Sequence, residues 1–129
     1  MTRITGQSIN TIEMNSWTKA NQEQIEKHPA WRGSLSAMQT ESLLERRDVF
    51  TYLLRGGEEK NAYYISFVKR DGMIKHQRFT LEYDRKGWYY KNGMNTSGTP
   101  TEMIAETLPE LIPQMMHCST EDCKIVDSH

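Results

Sequence analysis

An arginine at the end of an apolar run is the feature that most constrains this chain. The run from Val49 to Leu54 ends at Arg55, and Gly56 and Gly57 follow at once. Such a run, rich in β-branched and aromatic residues and ended by glycines, is typical of a buried β-strand. A guanidinium keeps its charge, and burying it without a partner is costly. The fold must therefore give Arg55 a pocket or access to water, and a rigid strand followed by a loop with inward-turned amides suits an anion such as phosphate.

Composition limits the classes of protein to which the chain can belong. Its 129 residues fit one domain, with 36% apolar and 26% charged residues. The net charge of −1 argues against a broad nucleic-acid surface, which needs a strongly basic face. No stretch approaches a membrane span, the N-terminal Met1–Gly6 has no signal-peptide core, and two cysteines, Cys118 and Cys123, are too few for a disulfide framework. We therefore expect a cytoplasmic protein that binds neither membranes nor nucleic acid and uses no cofactor.

The first part of the chain carries weak structural signals. Residues 1–14 are polar and without pattern, which predicts a loose arm. A helix capped by Asn15 or Ser16 is expected to run to about Lys27, and Pro29 ends it. The sequence thus divides into an N-terminal arm and helix, residues 1–29, and a domain over residues 30–127.

The middle of the chain predicts a helix followed by strands. Ser36 and Gln39 form a capping box that opens a helix running through Leu44. After the Arg55 strand, the segment Ala62–Val68 predicts a second strand, and Asp71-Gly72 predicts a hairpin turn.

The loop length of that hairpin decides which side chains face each other. A two-residue loop would put Gln77 beside Ser66. A three-residue loop, with a left-handed Gly72, would put His76 beside Ser66 and Arg78 beside Tyr64. We favour the longer loop because it gathers polar and cationic groups on one face of the sheet.

The last third predicts one more strand and two helices. A strand over Gly87–Tyr90 precedes a loop from Asn92 to Thr99. Capping-box patterns beginning at Thr99 and Thr107 predict a short helix at 100–106 and then a second helix, and Cys123–Val126 is a candidate closing strand. The predicted fold class is α+β: a central antiparallel sheet sandwiched between two helices, with an extra N-terminal helix.

These motifs together resemble a Src homology 2 domain, the module that reads phosphotyrosine. The matching pieces, in chain order over about residues 30–127, are Trp31, Gly33, Ser36, Glu41, Leu43-Leu44, Tyr52-Leu53-Leu54-Arg55, Tyr63-Tyr64-Ile65-Ser66, Lys75-His76, Gly87-Trp88-Tyr89-Tyr90 and Thr107–Ile112. The ordered set carries the likeness, since no single piece is specific.

The resemblance implies a role for each candidate site residue. Arg55 would bind two phosphate oxygens, and His76 would brace the pocket beside Ser66. Arg78 would lie over the phosphotyrosine ring, and Tyr64 would line the wall. The backbone amides of Gly56, Gly57 and Glu58 would form an anion nest.

The chain also departs from the family pattern. Ala37 stands where many members have a second phosphate-binding arginine, and Gly57 replaces a usual serine. Glu58 and Glu59 would repel phosphate unless they point outward, and Lys60 is expected to compensate for them.

The segment between Tyr90 and Thr107 is longer than the family norm. We expect it to fold over the ligand as a lid, while the pocket beyond the phosphotyrosine is poorly formed, so that flanking residues confer weak selectivity. Such divergence would suit a copy carried by an intracellular bacterium and delivered to the host cytosol.

The expected function is therefore non-catalytic binding of tyrosine-phosphorylated peptides or proteins by a monomer. One alternative is a degenerate scaffold of the same fold without phosphate affinity. A second is a small phosphatase that uses Cys118 or Cys123 as its nucleophile, although the sequence has no nucleophile-loop motif.

Overall fold

One six-stranded sheet organises the chain, and it is built mainly from sequential antiparallel neighbours. The computed structural model describes residues 2–94 and 96–127. In chain order the elements are α1 Thr2–Glu26, α2 Ala37–Leu44, β1 Thr51–Gly56, β2 Ala62–Val68, β3 Ile74–Glu82, β4 Gly87–Met94, β5 Pro100–Ala105, α3 Leu108–Met116, a 3-10 turn Thr120–Asp122, and β6 Lys124–Ile125. The strand order is β5-β4-β3-β2-β1-β6, and every neighbouring pair is antiparallel except β1 with β6.

Alternate residues of the central strands face two different helices. On β1, Leu53 packs with Leu44 of α2, whereas Leu54 belongs to the larger apolar cluster that contains Leu111 of α3. Five successive residues of β1 are therefore buried. The sheet is covered on both faces, as the unbroken apolar run predicted, and the expected α+β class is confirmed.

The β2–β3 hairpin has the register that the three-residue loop predicts. Gly72 has a φ of 82°, and Ser66 lies opposite His76 while Tyr64 lies opposite Arg78. A left-handed backbone suits glycine because it has no Cβ. The four residues Tyr64, Ser66, His76 and Arg78 thus share the α2 side of the sheet, whereas Ile65 belongs to the α3-side cluster.

Of the three capping-box patterns in the sequence, two open helices and one does not. Ser36 caps α2 in a reciprocal capping box with Gln39, and Thr107 accepts from the Glu110 amide at the start of α3. The third prediction is wrong, because the expected helix at 100–106 is the edge strand β5. There Ala105 pairs with Trp88, and a Cβ on Gly87 would meet the Ala105 carbonyl oxygen at 2.5 Å.

The same pairing corrects two further expectations about this region. The expected loop from residue 92 starts later, since β4 continues to Met94, and Asn95 lies outside the described residues. The expected lid is wrong for the segment 100–105, because its backbone is bonded to β4 in the sheet. Proline has no backbone N–H to donate to a neighbouring strand, and sheets tolerate this at the first residue of an edge strand. Pro100 occupies such a position.

The N-terminal segment is also more regular than expected. Residues 2–14 are helical rather than a loose arm, and α1 runs without interruption from Thr2 to Glu26, so Asn15 and Ser16 do not cap it. The second half of α1 is anchored by Ile25, which is fully buried, and by Trp17, whose ring meets Tyr83 edge-on at 5.6 Å. Ile25 belongs to the same core cluster as residues of the following segment. The expected domain boundary between residues 29 and 30 stays a prediction.

Candidate anion-binding site

Arg55 is buried at the end of β1, and its guanidinium contacts a hydroxyl, a backbone carbonyl and an imidazole nitrogen. The residue is 7% exposed. Nε donates to Ser66 Oγ at 3.2 Å, Nη1 donates to the Leu35 carbonyl at 3.2 Å, and Nη2 lies 3.1 Å from His76 Nδ1. The guanidinium carbon stands 4.6 Å from the centre of the Tyr64 ring. Strands β1, β2 and β3 and the segment before α2 thus all fix its position.

The positive charge of Arg55 has no direct counter-charge. Among the residues that the structure describes, no carboxylate lies within 4.0 Å of its nitrogens. Burial lowers the pKa of this guanidinium, and nearby Tyr64 and Glu41 act in the opposite direction. Arginine nevertheless stays protonated in proteins. A buried cation without an ion pair favours the entry of an anion, which would replace the missing counter-charge.

An open cavity of about 690 Å³ lies against this group. Its lining comes from the segment before α2, the end of β1, the following loop, and strands β2 and β3: Ser34, Leu35, Ser36, Ala37, Arg55, Gly56, Gly57, Glu58, Tyr64 and His76. Ser66, which is fully buried, supports the guanidinium from below. The structure therefore brings together seven predicted site residues: Arg55, Gly56, Gly57, Glu58, Tyr64, Ser66 and His76.

The expected anion nest is wrong for two of its three amides. The Gly56 amide donates to the Gly33 carbonyl at 3.0 Å, and the Gly57 amide donates to the Ala62 carbonyl at 2.8 Å. Both donors are already used to hold the loop. Of the three, only the Glu58 amide is left to bind an anion, and the Glu58 side chain lines the same cavity.

Besides Ser66, two predicted site residues, Lys60 and Arg78, do not line this cavity. Lys60 lies at a separate cavity against α1, so the structure does not give it the expected compensating position. Arg78 lies within 3.7 Å of Glu59, and its side chain is 47% exposed. Glu59 is therefore held by a cation rather than directed at an anion, and the predicted contact of Arg78 with a phosphotyrosine ring stays a prediction.

Glu41 is a site residue that the sequence reasoning missed. Its Oε2 lies 2.8 Å from His76 Nε2, which connects α2 to the ring that contacts Arg55. The missed signal is helical spacing, since Glu41 lies four residues after Ala37 and so shares its side of α2.

The two cysteines lie apart from this cavity, between α3 and β6. Their sulfurs are 3.2 Å apart, and both are free thiols. Burial, followed by the influence of Cys118, raises the pKa of the Cys123 thiol to about 12. A nucleophilic cysteine needs its thiolate form, so this environment disfavours the phosphatase alternative.

Comparisons with known proteins do not assign the chain to a family. No family model matches the sequence, and no curated protein matches it. Among solved structures, the chain is similar to the solution structure of the SH2 domain of the CRK/CRKL homolog of Monosiga brevicollis. The likeness has a TM-score of 0.48 and 18% sequence identity, and it covers 78% of this chain and 84% of that chain. The function of the Arg55 cavity therefore has to be inferred from its own side chains.

Proposed function

We propose that this protein binds tyrosine-phosphorylated peptides or proteins without catalysis, through Arg55. The observation that carries the proposal is a buried guanidinium, held by three neutral acceptors, beside an open cavity. A phosphate oxygen accepts charge-assisted hydrogen bonds from a guanidinium, and each contributes about 1.5–3 kcal/mol.

The depth of the cation supports an aromatic phosphate ester over a short one. Arg55 is 7% exposed and lines the cavity together with Ser36 and Ala37, so a phosphate must enter the cavity to reach it. A phosphotyrosine side chain is long enough to do so, whereas a phosphoserine side chain is short. Tyr64 supplies an aromatic wall along which a phenyl ring can pack.

Three features favour the alternative of a scaffold with the same fold and little phosphate affinity. The amides of Gly56 and Gly57 are already bonded, the Glu58 side chain lines the cavity, and Ala37 provides no second cation. A carboxylate at the cavity weakens the binding of a dianion by like-charge repulsion.

A titration with phenyl phosphate distinguishes the two functions. We expect saturable shifts at the Arg55 side chain and the Glu58 amide in NMR spectra, with smaller changes at the bonded amides of Gly56 and Gly57. Phosphoserine serves as the matched ligand and should give weak or no shifts. Absence of saturation with phenyl phosphate would favour the scaffold, and equal binding of phosphoserine would contradict selection by depth.

The proposal retains three properties inferred from the sequence. We propose that the residues flanking the phosphotyrosine contribute weakly to affinity, that the protein acts as a monomer, and that it acts in the cytoplasm. None of the described helices is both long and apolar enough to cross a bilayer. An array of phosphopeptides with scrambled flanks tests the first property, because a sharp preference at one flanking position would contradict it. The expected bacterial origin stays a prediction.

A further inference from the structure

Glu41, His76 and Arg55 form a chain of hydrogen bonds. Which atom donates and which accepts in each bond follows from the chemistry of the three side chains. A guanidinium has no acceptor, so the 3.1 Å contact between Arg55 Nη2 and His76 Nδ1 requires a free lone pair on Nδ1. Ser66 Oγ lies 2.8 Å from the same nitrogen, and its hydroxyl can donate to that lone pair as well. The neutral ring must then carry its proton on Nε2.

The proton on Nε2 has a carboxylate acceptor among the described residues. Glu41 Oε2 lies 2.8 Å away, and the Glu41 side chain is 53% exposed while that of His76 is 21% exposed. A carboxylate that accepts from one ring nitrogen fixes both the tautomer and the orientation of an imidazole. The ring is thus held from the helix side by Glu41 and from the sheet side by Arg55 and Ser66.

From this geometry we infer that Glu41 is a positioning residue for the anion site. It acts through His76: by accepting the Nε2 proton, it keeps the Nδ1 lone pair directed at Arg55 Nη2 and so fixes the plane of the guanidinium. The opposite tautomer would place an N–H against the guanidinium and remove this acceptor. The effect on anion affinity rests on the proposed function, whereas the tautomer does not.

The charge of Glu41 alone would have the opposite effect on affinity. A carboxylate near the site repels a phosphate dianion, so its removal would strengthen binding if repulsion were its main contribution. If Glu41 positions His76, its removal weakens binding. The sign of the change therefore separates the two roles.

The test compares Glu41→Ala with Glu45→Ala, which removes the same charge from the exposed end of the same helix. The tautomer of His76 is read from the nitrogen chemical shifts of its ring, and affinity is read by titration with phenyl phosphate. We expect the Nε2–H form in the wild-type protein and in Glu45→Ala, and a mixture of tautomers in Glu41→Ala. We expect phenyl phosphate affinity to fall between about 3-fold and 10-fold in Glu41→Ala, the scale of one ordinary hydrogen bond.

The outcomes keep this inference distinct from the proposed function. An Nδ1–H tautomer in the wild-type protein, an unchanged tautomer in Glu41→Ala, or stronger phenyl phosphate binding by Glu41→Ala would overturn it. If the wild-type protein does not bind phenyl phosphate at all, the proposed function fails, and the tautomer shift in Glu41→Ala still supports or refutes the link from Glu41 to His76.

Discussion

Successive residues of the central strands face opposite sides of the sheet, and the two sides differ in whether they bury polar side chains. Toward α3, residues such as Leu54 and Ile65 join an aromatic cluster in which Phe79 and Trp88 meet at 5.7 Å. Toward α2, the next residues along the same strands, Arg55 and Ser66, are buried polar groups. Neighbouring residues of the same two strands therefore contribute to an apolar core on one face of the sheet and to a polar site on the other.

The difference teaches how this small domain can hold an unpaired cation. Burying a charge without a counter-charge disfavours folding, so the free energy has to come from elsewhere. The α3 face supplies large, fully buried side chains, including Trp88, Phe79 and Leu111. Substitutions on one face should thus change binding, and substitutions on the other should change stability.

The largest expected effect is loss of binding in Arg55→Leu. Removing two charge-assisted bonds costs about 3–6 kcal/mol, which corresponds to more than about a 100-fold loss of phosphopeptide affinity. The free energy of unfolding should stay within about 1 kcal/mol of wild type, since a buried leucine needs no counter-charge. Calorimetric titration with a phosphotyrosine peptide and urea unfolding measure the two quantities.

Two further variants sharpen that result. Arg55→Lys should also fail to bind, because an ammonium does not reproduce the planar donor fork. Arg70→Leu removes an exposed cation that does not line the cavity and is the matched control. Unchanged affinity in either Arg55 variant, or an equal loss in Arg70→Leu, would contradict the assignment of the pocket.

The next effect is loss of stability in Leu111→Ala on the opposite face. Leu111 is fully buried in the α3-side cluster, and truncating such a residue destabilises by about 2–5 kcal/mol. Met38→Ala, at a position 80% exposed, should change little. Under conditions in which both variants remain folded, phosphopeptide affinity should equal that of wild type; a large drop for Leu111→Ala would mean that the two faces are coupled.

A smaller effect is expected at the junction between strand and loop. A Cβ on Gly57 would meet the Ala62 carbonyl oxygen at 2.8 Å, so Gly57→Ala must shift the backbone and should destabilise by about 1–3 kcal/mol. Gly56→Ala is the matched control, because its Cβ would meet only the Trp31 ring at an ordinary 3.5 Å. Equal melting temperatures for the two variants would show that the backbone around Gly57 moves to accommodate the added methyl group without loss of stability.

The smallest effect appears only at high pH and belongs to the α3-side cluster. Burial raises the pKa of Tyr52 from its usual 10.0 to about 12. The neutral phenol is favoured in the folded state, so its contribution to stability is complete below pH 10 and is lost as the pH rises through 12. Tyr52→Phe should therefore reduce the alkaline loss by about 1–2 kcal/mol, less than the full shift implies.

Urea unfolding at pH 9 and at pH 11.5 measures this difference. An identical loss of stability in wild type and Tyr52→Phe would show that the hydroxyl of Tyr52 ionises as readily in the folded state as in the unfolded one.

The sequence carried most of the local information about the site. The hairpin turn at Gly72 and the cap at Ser36 each depend on neighbouring residues, and both appear as expected. The pairing of Ser66 with His76 followed from the same turn. Position along strands and turns was therefore predictable, because a period of two and a turn type fix it.

What the sequence could not give depends on partners distant along the chain. The capping pattern at Thr99 is real as a pattern, but pairing of β5 with β4 outweighs it. The amides of Gly56 and Gly57 are used by carbonyls of Gly33 and Ala62, and no local signal shows where such acceptors will lie. The role of Glu41 likewise appears only when α2 is packed against β3.

The unpaired guanidinium also affects how ligands for this protein can be found. A molecule that binds only the folded state raises the melting temperature in proportion to the logarithm of its concentration above Kd. Any compound that satisfies Arg55 relieves an electrostatic penalty of the empty protein and so makes it harder to melt. A thermal-shift screen of anionic aromatic compounds would then rank candidates by how completely they neutralise this one side chain, before any biological partner is known.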